Sequence, residues 1–108
     1  MKNTVIGALL ITAAASNAMA SEITVISFGG AGKDVQTEAF YKPFEKTTNN
    51  KIIAGEYNGE MGRIKVMVDT QSVNWDVVQA GGAELKTGCE AGLFEHLDPT
   101  KIGLSADF

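Results

Sequence analysis

Residues Ile23 to Asp34, Ile-Thr-Val-Ile-Ser-Phe-Gly-Gly-Ala-Gly-Lys-Asp, constrain this chain more than any other stretch. Ile23, Val25 and Ile26 supply the β-branched run of a buried strand. Gly29, Gly30 and Gly32 then open backbone angles that a Cβ disfavours. Asp34 suits the N-cap of the periodic segment that follows. A strand that passes through such a turn into a helix leaves free N–H groups at one end of a sheet, where a ligand can meet them.

The rest of the chain repeats this unit. Val35 to Thr48 reads as a helix with Val35, Ala39, Phe40 and Phe44 near one face and a kink at Pro43, and Asn49 and Asn50 suit its exit. Lys51 to Tyr57 is a second strand, and Gly59 to Gln71 a second helix whose Met61, Ile64, Met67 and Val68 fall at helical spacing as core. Asp76 to Ala80 is a third strand, leading through Gly81-Gly82 into a helix over Ala83 to Ala91. Leu93 to Pro99 is expected to run extended and close onto the sheet. Strands separated by helices imply right-handed crossovers, hence an α/β fold with a mostly parallel sheet covered on both faces.

The N-terminus has a different character. Lys2 precedes an apolar stretch over Val5 to Ala15, and Ala18-Met19-Ala20 has the small-x-small form that signal peptidase accepts. A signal peptide over residues 1 to 20, cleaved after Ala20, is expected, which places the product in the periplasm. The apolar run is too short to span a bilayer. Residues 21 to 108 carry eight basic and thirteen acidic side chains, a net charge of −5, which argues against binding nucleic acid or an anionic membrane through bulk charge. One cysteine, Cys89, and one histidine, His96, provide no ligand set for structural zinc. Cys89 is expected to face the sheet with Leu85.

Ile23-Thr-Val-Ile-Ser-Phe-Gly-Gly-Ala, Glu38-Ala-Phe-Tyr-Lys-Pro-Phe-Glu-Lys-Thr, Trp75-Asp-Val-Val and Glu90-Ala-Gly-Leu-Phe-Glu-His-Leu-Asp, in this order behind a signal sequence, resemble the N-terminal part of periplasmic solute-binding proteins of ABC transporters. Within that group they look most like the spermidine/putrescine-binding branch. The resemblance spans Ser21 to Gly103. It implies a monomeric, two-lobed protein that closes on a small solute and delivers it to a membrane permease, with no catalysis and no cofactor. Residues 21 to 108 would then be a partial lobe one, without hinge or second lobe, and would bind solute weakly or not at all alone.

Ligands of open parallel sheets sit beyond the carboxyl ends of the strands. The turns there are Ser27 to Lys33, Asn58 to Met61 and Gly81 to Glu84. The candidate ligand-binding residues are therefore Ser27, Phe28, Gly29, Gly30, Tyr57, Glu60, Gly82 and Glu84. Carboxylates at helix starts, Asp34, Glu60 and Glu84, are explained equally by capping and the helix dipole. A polyamine would use them as separated ammonium anchors, with Phe28 and Tyr57 boxing its methylenes. Trp75, at the opposite edge, is assigned to packing. The glycines of the first turn leave a smaller or anionic solute, held by backbone N–H groups, as the alternative.

Enzyme readings fit poorly. A phosphate-binding loop of the Walker type fails at Ser27, where glycine is required, and at Asp34, where Ser or Thr should follow Lys33. A dinucleotide fingerprint through Gly30 and Gly32 meets Val35 at its third small position, although Glu56 would suit a ribose. Ser27 has no recognisable base, and Gly92 separates Cys89 from His96.

Overall fold

The structure, a computed structural model, describes residues 19–103. The signal-peptide expectation over residues 1 to 20 falls almost entirely outside them. The elements alternate as expected: β1 (Glu22–Ser27), α1 (Gly30–Gln36), a π-helical turn (Thr37–Tyr41), α2 (Lys42–Thr48), β2 (Lys51–Glu56), α3 (Met61–Asp69), β3 (Val77–Val78) and α4 (Gly82–Glu90). The three strands form a parallel sheet in the order β2-β1-β3. The chain steps from β1 outward to β2, then back past β1 to β3. With right-handed crossovers, that reversal puts α1 and α2 on one face and α3 on the other.

Register explains the core. Ile26 is opposite Gly55 on one side and Val78 on the other. A Cβ on Gly55 would lie 2.5 Å from Ile26 Cδ1, so the glycine lets the isoleucine side chain lie across the neighbouring strand. Ile26, Ile64 and Tyr57 are buried, and Met61, Met67, Val68, Trp75, Val78, Leu93 and Phe94 pack around them. Full burial of side chains this size contributes about 1.5–3 kcal/mol each. The methionines of α3 are thus core residues, and Trp75 packs as expected.

Five features differ from the sequence reading. The first helix begins at Gly30, with Gly29 at its N-cap position, so Asp34 lies inside α1 and caps nothing. Its irregularity is a π turn just before Pro43, and Pro43 itself sits in the first turn of α2, where a missing N–H is tolerated. The third strand is only Val77–Val78, extended by Asp76 N–H donating to Thr24 O and Gln79 N–H donating to Ile26 O. In α4, Cys89 is exposed and Leu85 is 52% exposed, whereas Gly88 is buried. The ring of Phe94 lies where a Cβ on Gly88 would stand, and that contact turns the Glu84–Gly88 face inward and the Leu85–Cys89 face out. Leu93 to Pro99 forms no strand. Its Leu93 and Phe94 reach the core, and Leu97 is exposed.

Candidate functional site

The carboxyl ends of the strands converge on Tyr57. The residue follows β2, its N–H donates to Ser27 O at 2.9 Å, and its side chain is 3% exposed. Its hydroxyl donates to Gln79 O just past β3. One side chain thereby crosses beneath the end of β1 from β2 to β3. Phe28 stacks on it with ring centroids 5.4 Å apart and planes 9° from parallel, and Trp75 meets it edge-on at 5.8 Å. Arg63 lies over Trp75, 4.6 Å from the ring centroid. Phe28 is 42% exposed, so it presents an aromatic surface and Tyr57 forms the floor beneath it. Burial, with added repulsion from Glu84 and Glu60, raises the Tyr57 pKa above its usual value and keeps the phenol protonated.

The glycine-rich turn is held by its own groups. Ser27 is 2% exposed and its Oγ accepts from Gly29 N at 3.3 Å, so the hydroxyl is engaged inside the turn. Gly29 has φ +83 and Gly30 φ +59, conformations in the region that glycine occupies most readily. Lys33, one turn into α1, pairs with Glu56 at the end of β2. The hydrogen bond that Lys33 donates to the Glu56 carboxylate is the main cause of the raised Lys33 pKa. This pair joins the first turn to the second strand, and no local spacing in the sequence announces it.

The two other candidate carboxylates differ. Glu60 accepts from Asn58 N at 2.7 Å and from Asn58 Nδ2 at 3.3 Å, and the backbone bond is the main cause of its lowered pKa. Its carboxylate therefore serves the β2–α3 turn. Glu84 is half-buried, and its carboxylate sits between two glycines: a Cβ on Gly59 would lie 3.1 Å from Oε1, and one on Gly81 2.6 Å from Oε2. Among the described residues no hydrogen bond or ion pair takes it. Gly82 opens α4 with free space around its Cα, as does Gly30 at the start of α1.

The structure thus brings Ser27, Phe28, Gly29, Tyr57, Glu60 and Glu84 to one edge, with the missed residues Lys33, Glu56 and Gln79 among them. Two grooves, of about 380 and 620 Å³, lie elsewhere, beside α3 and Trp75 and between β3 and α4. Neither is lined by a candidate residue. Among the described residues no group of three His, Cys, Asp or Glu side chains is placed to hold a metal ion.

Comparison with known proteins fits this geometry. No protein-family model matches the chain. Its sequence is 52% identical over 99 residues to a gamma-aminobutyric acid-binding protein of Pseudomonas aeruginosa, covering 92% of this chain and 28% of the relative. Among solved structures, a periplasmic binding protein of Agrobacterium tumefaciens in complex with agropinic acid superposes with a TM-score of 0.72 at 29% identity, over 82% of this chain and 27% of that one. A second from A. tumefaciens, in complex with glucopine, gives 0.66 at 28% identity, over 72% and 24%. A GABA receptor gives 0.68 at 29% identity, over 74% and 25%. The chain therefore spans about a quarter of the length of the relatives it matches. The spermidine/putrescine expectation is corrected: the ligands of these relatives are GABA, agropinic acid and glucopine, not polyamines. The α/β wall described above is similar to part of a periplasmic binding-protein lobe, and the proteins that share it are solute-binding proteins, not enzymes.

Proposed function

We propose that this chain forms a solute-facing wall of an exported binding protein that captures GABA, or a small amino acid of similar build, and passes it to a membrane permease. The observation that carries the reading is the 52% identity to a GABA-binding protein. The wall has matching chemistry. An ω-amino acid carries an ammonium group and a short methylene chain, and the wall offers a carboxylate with no partner among the described residues, Glu84, together with the exposed ring of Phe28. A charge-assisted hydrogen bond and apolar contact suit those two parts. The solute carboxylate faces away from this acidic edge, toward a second lobe that closes over it. Such capture takes place in the periplasm, after removal of a signal peptide.

Calorimetry on the complete gene product tests this, with GABA and putrescine titrated separately. GABA binding without putrescine binding is the expected result. Putrescine binding in the absence of GABA binding overturns it.

A further inference from the structure

Gln79, the residue after β3, is the point at which the wall is tied together. Its N–H donates to Ile26 O at 2.8 Å, and its carbonyl accepts the Tyr57 hydroxyl. Its side-chain Oε1 accepts from Phe28 N at 3.4 Å and from Gln36 Nε2 at 3.3 Å. Gln36 Oε1 in turn accepts the Tyr41 hydroxyl at 3.1 Å. The orientation of the Gln79 amide follows from its neighbours: the Phe28 backbone N–H can only donate, so the oxygen must face it. Main chain and side chain of one residue therefore hold Tyr57 from below and the Phe28 backbone from the side, and reach through Gln36 to the π turn.

We propose that Gln79 is a positioning residue that holds Phe28 on Tyr57 and so sets the surface on which the solute lies. This rests on the reading of that surface as the solute wall. The division of labour within Gln79 makes the idea separable from a purely structural role. Its backbone bonds to Ile26 and Tyr57 survive any substitution except proline, whereas the bonds to Phe28 and Gln36 depend on a side-chain acceptor. Glutamate at this position keeps an acceptor at the same reach, and leucine removes it.

The test uses the complete gene product with Gln79→Leu, Gln79→Glu and Phe28→Ala, measured for GABA affinity, unfolding midpoint and the ring-current shifts of the Phe28 ring protons. Gln79→Leu is expected to lose about tenfold in affinity because Phe28 is no longer held in place, with its unfolding midpoint lowered only slightly since both lost bonds are exposed, and with the Phe28 shifts altered even without solute. Gln79→Glu is expected to restore both the affinity and the shifts. Gln79→Met fills the same space without an acceptor and replaces the leucine variant if that fails to fold. If Phe28→Ala weakens GABA binding but neither acceptor-free variant does, the positioning role is overturned and the solute wall stands. If Phe28→Ala leaves GABA binding intact, the solute wall itself is overturned. Unaltered Phe28 shifts in solute-free Gln79→Leu overturn the positioning role whatever the solute.

Discussion

The Glu56 carboxyl group occupies the space that a side chain on Gly29 would need: a Cβ there would lie 2.7 Å from both Cδ and Oε2. Gly29 also holds φ +83 with ψ −163, a combination essentially reserved for glycine. Gly29→Ala is thus expected to lower stability by about 1–3 kcal/mol from backbone strain, with displacement of Glu56 from Lys33 as a second effect. Gly30→Ala meets open space and pays only for its left-handed φ of +59, about 1–2 kcal/mol. Urea unfolding of the two variants measures both, and equal stability of Gly29→Ala and the parent refutes the crowding.

Gly88 makes the same point inside a helix. Alanine normally stabilises a helix interior over glycine by about 1 kcal/mol. Here the Phe94 ring would lie 2.1 Å from the new Cβ. Overpacking of this kind costs about 1–3 kcal/mol, so Gly88→Ala is expected to destabilise. A rise in unfolding midpoint would show that Phe94 does not hold its place on α4.

Glu84 is the carboxylate proposed to meet the solute ammonium. Glu84→Gln keeps the shape and removes the charge, and should weaken GABA binding about tenfold or more while leaving unfolding nearly unchanged. Calorimetry and denaturation on the same preparation separate the two effects. Glu60→Gln, whose parent side chain is engaged by Asn58, should instead lower stability with a smaller change in affinity.

The raised Tyr57 pKa fixes the sign of a pH effect. The folded protein holds the phenol proton more tightly than the unfolded chain does, so this stabilisation is complete below the ordinary tyrosine pKa of 10.0 and is lost as pH rises through the folded value. Lys33, raised by Glu56, acts in the same direction from its ordinary 10.5 upward. Glu60 acts at the other end: its lowered pKa gives stability that is present above the ordinary value of 4.5 and lost as pH falls through the folded one. Tyr57→Phe should therefore flatten the alkaline arm of a stability profile and leave the acid arm alone.

Much of this architecture was legible in the residues. Ile23 to Ile26 and Lys51 to Glu56 have the composition of strands, and Met61, Ile64, Met67 and Val68 mark the buried face of α3. The face of α4 was misread because Leu85 and Cys89 are its apolar pair, while the actual contact is made by a glycine and a ring from the following segment. The start of α1 was misread because Gly30-Ala31-Gly32 has poor helix propensity, and tertiary context overrides that preference. Turn position placed Phe28, Glu60 and Glu84 beyond the carboxyl ends of the strands. The Lys33–Glu56 pair and the hub at Gln79 join residues 22 to 53 apart in the chain, a separation for which spacing carries no signal.

The placement of β1 between β2 and β3 has a kinetic consequence. A strand bonded along both edges opens only when the sheet opens, so the amides of β1 should be among the last to exchange with solvent. Phe28 and Gly29 follow directly from its end. The proposed solute surface is thus suspended from the most persistent of the described strands, and on that reading an arriving solute meets a wall already standing rather than one it must first assemble.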